Sequence, residues 1–578
     1  MGNEYSWGAI PEEGGVWRFR LWAPGCEALT LRIGGASHAM LPEADGWFCA
    51  RVPAEEGDAY DFLLPGGQAV PDPAARRQAE GVHGKSLLTA PRQPKPSAGR
   101  PWEEAVIYEL HTGTFTEAGT FRAAMAELPR LAALGITAIE LLPLAQFGGD
   151  RGWGYDGVLP YAPHPVYGSP ADLAALVEAA HEHGLMVLLD VVYNHFGPDG
   201  NYLSAYAPTF FDAARETPWG AGIDYTQPPV RRFFIENARY WLGEYGIDGL
   251  RLDAIDQIED PSNPELLIEL AQELRAALPD RPVHLTTEDN RNVTHLHERG
   301  PEGAIALHSA EWNDDFHNAA HVLATGEGEG YYAPFSPDSL GLMGRCLAEG
   351  FGFQGEGGRG QPSGHLPPTA FVDFLQNHDQ TGNRARGERL ISLTDPGTLE
   401  ALTAILALSP HIPLFFMGEE YGETRPFTFF AHFGGELDEL IREGRRREFA
   451  EFTGFAGGEA PDPISAQTFA ASTLNPALRD SAEGQAFQAR LRKLLDLRHR
   501  LIVPRLKHAK GGAGRCLIAT NGQLAVDWQL DGALLSLRAR FGEAPLPTGE
   551  GEEIHRTGNP AAAAQAVHYL SARSGSPL

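Results

Sequence analysis

Apolar and polar side chains alternate through the first stretch of the chain. Val16-Trp17-Arg18-Phe19-Arg20-Leu21-Trp22 and Ala28-Leu29-Thr30-Leu31-Arg32-Ile33 follow the two-residue period of half-buried strands. Gly34-Gly35 and Pro65-Gly66-Gly67 mark turns. Residues 1–90 therefore read as an N-terminal β-sandwich. Trp17, Trp22 and Trp47 could form a carbohydrate platform there, but core packing is the better reading of aromatics in a small sandwich. Residues 89–102 carry four prolines and read as a linker along a surface.

From Ala105 the pattern becomes strand, then helix, repeatedly. Strands are expected at 106–111, 137–144, 186–192, 249–253, 283–287, 304–310, 370–375 and 412–417. Helices are expected from Thr120 to Leu134, from Ser169 to His183, and over 229–245, 264–278 and 399–408. Eight strands alternating with helices predict a central (β/α)8 TIM barrel over 91–504, with inserted loops taking up the excess length. A doubly wound open sheet would want a Gly-rich phosphate turn after its first strand, and His111-Thr112-Gly113-Thr114-Phe115 is not one. Short strands at 516–519, 524–528 and 534–537, parted by Asn-Gly and Asp-Gly, predict a small C-terminal β-domain over 505–578. The expected fold is thus multidomain.

Charge narrows the partners. The 578 residues carry 46 Lys+Arg against 76 Asp+Glu, a net charge of −30. A polyanion would be repelled, so neither nucleic acid nor an anionic membrane is expected as a partner. Arg445-Arg446-Arg447 is a compact basic run and reads as a solvated helix face. The four cysteines, Cys26, Cys49, Cys346 and Cys516, form no CxxC pair and are expected to be reduced thiols. No signal-peptide pattern or membrane-length apolar run is visible, so the expected location is the cytoplasm.

Catalytic groups of such barrels lie at the C-terminal strand ends. Here those ends are rich in acids: Asp190, Asn194 and His195 after the third strand, Arg251 and Asp253 on the fourth, Glu288 and Asp289 after the fifth, Glu311 to Asp315 around the sixth, Asn377-His378-Asp379 after the seventh, and Glu419-Glu420 after the eighth. Arg251 and Asp253 alone fit a structural ion pair as well as a catalyst. No HExxH, Cys cluster, GxSxG elbow or P-loop offers another chemistry. Paired carboxylates remain, the equipment of glycoside cleavage. Asp253 would be the ionised member, with Arg251 on the same strand face as its cation. Glu288 would be the acid, its proton retained by surrounding negative charge. Asp379 would add a third carboxylate.

These stretches resemble the α-amylase superfamily of glycoside hydrolases. Asp190-Val191-Val192-Tyr193-Asn194-His195, Gly249-Leu250-Arg251-Leu252-Asp253, Glu288 and Asn377-His378-Asp379 are similar to its four signature regions, in order. A narrower resemblance, to the maltooligosyltrehalose trehalohydrolase family, runs through Pro71-Asp72-Pro73, Gly152-Trp153-Gly154-Tyr155-Asp156-Gly157, Glu311-Trp312-Asn313-Asp314-Asp315-Phe316-His317 and Phe416-Met417-Gly418-Glu419-Glu420. It extends to the segment from Arg442 to Phe449, where the Arg run sits. Glycogen-branching and debranching enzymes share the four regions, and a non-catalytic glucan-binding barrel is the alternative of another class.

The resemblance implies release of trehalose from maltooligosyl trehalose, with no cofactor and no metal. The implied pathway partner is a maltooligosyltrehalose synthase. It implies Asp253 as nucleophile, Glu288 as acid/base and Asp379 as transition-state stabiliser. Tyr155, His195, Arg251 and His378 would bind the sugar at the cleaved bond or orient the carboxylates. Asp256, Asp315, His317, Gln380 and Arg384 would line neighbouring subsites. Two departures stand out. Asp256 lies where the family often has His, on the product side. Asn194 matches one calcium ligand of α-amylases, but the remaining ligands are not recognisable, so calcium is not expected. Glu288 and Asp289 are expected to titrate together if close.

Overall fold

A computed structural model of the chain describes residues 5–217, 220–449, 460–558 and 561–572. Eight strands close a parallel barrel: β1 (Ile107–Leu110), β2 (Ala138–Leu141), β3 (Met186–Val191), β4 (Gly249–Leu252), β5 (His284–Thr287), β6 (Ala310–Trp312), β7 (Phe371–Phe374) and β8 (Ile412–Phe416). They neighbour one another in chain order, and β8 pairs back to β1. Every residue of these strands is buried, because helices cover the outside and side chains fill the inside. The helices that matter for the site are α1 (Pro170–Glu182), α2 (Pro228–Glu244), α3 (Asp314–Thr325), α4 (His378–Gly382) and α5 (Gly435–Phe449).

Register sets a polar layer within the barrel. Glu109 of β1 lies opposite Glu140 of β2, and Asp190 of β3 opposite Arg251 of β4, which lies opposite Thr286 of β5. Helix α1 starts at a reciprocal cap: Ser169 Oγ accepts from the Asp172 amide while Asp172 accepts from Ser169 N.

Two expected elements differ. The helix expected from Thr120 to Leu134 is two helices, Phe121–Met125 and Leu128–Leu134. Pro129 lacks an amide hydrogen and restricts the residue before it, so the first helix cannot run through. Thr120 does cap it, accepting from the Ala123 amide. The sixth strand is not at 304–310 but at Ala310–Trp312. The apolar run 304–307 lies nearer the surface, and the barrel instead takes Glu311 inward, where it accepts a 2.6 Å hydrogen bond from Thr287 Oγ1. Hydrophobicity misplaces a strand whose interior neighbours are polar.

Two sheets form the N-terminal part, strands Gly8–Glu12, Val16–Trp22, Trp47–Pro53 and Leu41–Pro42 in one and Ala36–Ala39, Thr30–Ile33, Ala59–Leu63, Ala69–Val70 and Ser86–Leu87 in the other. Trp17, Trp22 and Trp47 are buried, in keeping with the core reading. Trp7 packs edge-on against Trp47 and against Phe233 of α2, each at 5.0 Å, and joins the sandwich to the barrel. The last five strands, from Gly514–Thr520 to Ala564–Ala572, form an antiparallel sheet. Its Trp528 donates to Leu347 O at 2.7 Å. All four cysteines are free. Among the described residues no helix is long and apolar enough to cross a membrane.

Candidate active site

Arg251 organises the C-terminal mouth of the barrel. Its Nη1 donates to Asp190 Oδ2 at 2.8 Å and to Asp253 Oδ1 at 2.7 Å, and its Nη2 stands 3.3 Å from Glu288 Oε2. The guanidinium lies over the Trp312 ring, 4.3 Å from its centroid, so β6 supplies the floor under the cation. Asp253 is fixed from its other side by Asn194 Nδ2, 2.9 Å from Oδ2. Its neighbour Ala254 takes a left-handed conformation, φ 40° and ψ 56°, which no Cβ-bearing residue adopts without cost. That turn aims the Ala254 amide at Glu288 Oε2, 2.8 Å away.

Aromatic rings line one wall. Tyr155 stacks on His378 with centroids 5.0 Å apart and planes 18° apart, and its hydroxyl donates to Asp190 Oδ2 at 2.5 Å. Trp153 meets His378 edge-on at 5.4 Å. Gly382 of α4 is pressed so closely on Trp153 that a Cβ there would lie 2.0 Å from the indole. His195 hydrogen-bonds Tyr155 O through Nε2 at 2.9 Å and Asn194 Oδ1 through Nδ1. His378 is held by Glu109, whose Oε1 accepts from Nδ1 at 2.5 Å and whose Oε2 accepts from its backbone amide at 2.9 Å.

Asp379 follows on α4. Asn383 Nδ2, one turn on, donates to its Oδ1 at 2.7 Å. Arg445 of α5 then donates to Asn383 Oδ1 at 2.9 Å and to Gly382 O at 3.1 Å. The basic run is thus not wholly a solvated face, since its first member braces the helix that carries Asp379. Gln380 donates to Asp314 Oδ1 at 3.1 Å.

The structure therefore brings together Tyr155, His195, Arg251, Asp253, Glu288, His378 and Asp379, with Gln380 beside them through Asp314. Asp256 stays half-buried on the turn after β4 and accepts from Gln257 at 3.0 Å. Arg384 is engaged with Glu327 at 2.7 and 3.0 Å. Asp315 and His317 point into the protein rather than the cleft. Asp315 accepts from Arg359 at 2.6 Å, Asn292 at 2.8 Å and the Phe353 amide at 2.9 Å. His317 bonds Leu375 O at 2.7 Å. One residue of helical phase separates the two aspartates, and Asp314 faces the carboxylates. Asp289 also turns away, onto Arg291 at 2.9 Å, so the charges around Glu288 are Asp253, Asp314 and Asp379 instead.

Those charges divide the acids. Burial, aided by Asp253, Asp314 and Asp379 and opposed by Arg251, pushes Glu288 well above the usual carboxylate range. Burial together with Asp379 and Asp315 raises Asp314 to about 7. Burial raises Asp190 to about 6 despite Arg251. Glu140, whose two buried carboxyl oxygens have no hydrogen-bond partner among the described residues, is raised well above its ordinary value by burial, Glu109 and Asp190. Glu288, raised by burial, and Asp253, paired with Arg251, form the arrangement that an acid and a nucleophile would need at one bond. Asp314, Glu109, Glu140, Asn383 and Arg445 were not singled out from sequence as site residues. Of these only Glu109, mid-strand among apolar residues, carried a readable signal.

Among the described residues no group of three or more His, Cys, Asp or Glu could hold a metal ion. The family description "Alpha amylase, catalytic domain" matches residues 97–209. A malto-oligosyltrehalose trehalohydrolase of Deinococcus radiodurans is 43% identical over 506 residues, which are 85% of this chain and 82% of that one. One of Mycobacterium tuberculosis is 40% identical over 503 residues, 83% of this chain and 86% of its own. A crystal structure provisionally described as an alpha amylase of Salmonella typhimurium superposes with TM-score 0.95 at 49% identity, covering 98% of this chain and 100% of that one. Likeness at this level along most of both lengths, around a barrel with these strand-end acids, makes the chain a member of the malto-oligosyltrehalose trehalohydrolase family.

Proposed function

We propose that the chain is a retaining glycosidase that cleaves the α-1,4-glucosidic bond next to the terminal trehalose of maltooligosyl trehalose and releases trehalose. Family membership supports the substrate, and one observation carries the mechanism: a single guanidinium, Arg251, contacts both Asp253 and Glu288. Two carboxyls tethered so closely suit a double displacement, for which about 5–5.5 Å is the usual separation.

In the first step an Asp253 carboxylate oxygen attacks the anomeric carbon. Glu288 gives its proton to the glycosidic oxygen, and trehalose leaves. In the second step Glu288 takes a proton from water, whose oxygen attacks the same carbon and frees Asp253. Asp379 stabilises the oxocarbenium-like charge between the two. Tyr155 offers a ring face to the sugar, and His195, Arg251 and His378 surround it. Gln380 and Asp256 stand at the rim, Arg384 steadies the loop with Glu327, and Asp315 and His317 brace the wall from behind. No cofactor or metal enters these steps. A synthase that builds the trehalose end would supply the substrate, and the free thiols suit the cytoplasm.

The test is product analysis. Incubation with maltooligosyl trehalose should yield free trehalose faster than plain maltooligosaccharide or branched glucan is cut. Cleavage or transfer at α-1,6 branches would point to a branching or debranching enzyme, and binding without turnover to a glucan-binding protein.

A further inference from the structure

Besides the acids of the proposed reaction, the floor of the cleft holds three buried acids: Glu109, Glu140 and Asp190. Two basic side chains share that space, Arg251 and His378. Arg251 answers Asp190 through a 2.8 Å contact. Glu140 has no hydrogen-bond partner among the described residues, and burial, Glu109 and Asp190 push it well above the usual carboxylate range. That leaves Glu109, and both its oxygens are spent on one residue, His378: Oε1 on Nδ1 at 2.5 Å and Oε2 on the backbone amide at 2.9 Å.

We propose that Glu109 is a positioning residue of the reaction, one that keeps His378 a doubly protonated cation with its Nε2–H turned to the bound sugar. The inference rests on the proposed sugar-binding role of His378. The two-point grip fixes both the ring and the start of α4, the helix that carries Asp379. Tyr155 stacked on one face and Trp153 edge-on leave the ring no other orientation. Nε2 has no hydrogen-bond partner among the described residues, so its proton is free for a sugar hydroxyl.

The surroundings decide the charge. Groups facing the ring are Glu109 from β1, His111 just after it, Asp190 from β3, Arg251 from β4, the Tyr155 hydroxyl, and Asp379 next in sequence. Burial and Arg251 oppose a proton on His378. Glu109 and Asp379 outweigh them, and the balance lies above the ordinary histidine value. His111, equally buried but without such a carboxylate, is pushed down to about 3 by burial. Two buried histidines are thus shifted in opposite directions, and the carboxylate that grips His378 is the difference.

The experiment compares wild type, Glu109→Gln and Glu109→Asp by ¹⁵N NMR of histidine-labelled protein, with His378→Gln assigning the signal. The expected result is His378 with both nitrogens protonated at pH 7.5 in wild type, neutral in Glu109→Gln and restored in Glu109→Asp. A neutral His378 in wild type overturns the proposal. Turnover of maltooligosyl trehalose is read alongside. Glu109→Gln should lose tenfold or more in kcat, with its alkaline limb displaced to lower pH. It should cost nothing further in a His378→Gln background. A pH profile unchanged from wild type, or full additivity of the two losses, also overturns it. If Glu109→Gln does not fold, the wild-type spectrum and Glu109→Asp decide. Absence of turnover in wild type would refute the proposed function while leaving the charge on His378 still readable.

Discussion

Arg251 touches Asp253 and Glu288 with different nitrogens, Nη1 at 2.7 Å and Nη2 at 3.3 Å, so one planar cation sets the relation between the two carboxyls. A lysine ammonium is a point charge and cannot hold both. Arg251→Lys should therefore fold but lose roughly a hundredfold or more in kcat, the scale of a lost preorganised donor. Steady-state kinetics beside a thermal melt check this. Asp253→Ala should abolish turnover at unchanged melting temperature, and surviving activity would misassign the nucleophile.

Asp314 bears on the proposed acid. It is one of the negative charges that hold the proton on Glu288. The proposed mechanism needs that proton, so kcat/KM should hold through the ordinary carboxylate range and fall on the alkaline side as Glu288 ionises. Asp314→Asn removes a like charge that is present above about 7. Glu288 then loses its proton sooner, and the alkaline limb should move to lower pH. A limb that stays or rises would show that Asp314 is electrostatically idle.

Glu140 should be replaceable by its amide. Its folded-state affinity for a proton exceeds that of the unfolded chain. Native protein binds more protons than unfolded protein between those two ranges, so this group's contribution to stability is full below the unfolded value and is lost as pH rises. Glu140→Gln should equal wild type near pH 4.5 and become the more stable of the two toward pH 8. Urea midpoints at both pH values decide it.

Arg445 acts at one remove. It holds Asn383, and Asn383 holds Asp379. Arg445→Ala should lower kcat about tenfold with little change in KM, since the interaction serves the transition state, and Arg445→Lys should recover part of the loss. A rise in KM alone would make Arg445 a substrate contact instead.

Asp315 should matter to stability. Its buried carboxylate accepts from Arg359, Asn292 and the Phe353 amide. Asp315→Ala strands those donors and should cost about 3 kcal/mol. The fraction that folds should keep a near-normal kcat, and a large kcat loss at full stability would return Asp315 to the cleft.

Barrel strands with strong apolar character were legible at their true places, as with Met186–Val191 and Ile412–Phe416. The sixth strand was not, because Glu311 faces a polar interior that no hydrophobic pattern announces. Asp315, implied by the family resemblance to line a subsite, lies buried on Arg359, while its neighbour Asp314 meets Gln380 at the cleft. Adjacent positions on a helix differ by about a hundred degrees, and only the packing of α3 says which aspartate meets the cleft. Asp289 beside Glu288 misled in the same way, its carboxylate being claimed by Arg291.

The linear chain determined which chemistry was available. It placed acids after successive apolar strands, and a barrel collects all strand ends on one rim, so Asp253, Glu288 and Asp379 stand out as candidates in the chain itself. Tertiary structure alone decided the charges. Glu140, Glu288 and Asp314 are the same functional group in sequence, and their protons depend on burial and on which side chain faces them across the barrel. Those are contacts between residues tens to hundreds of positions apart, such as Glu109 with His378. They exist only once the eight strands have closed.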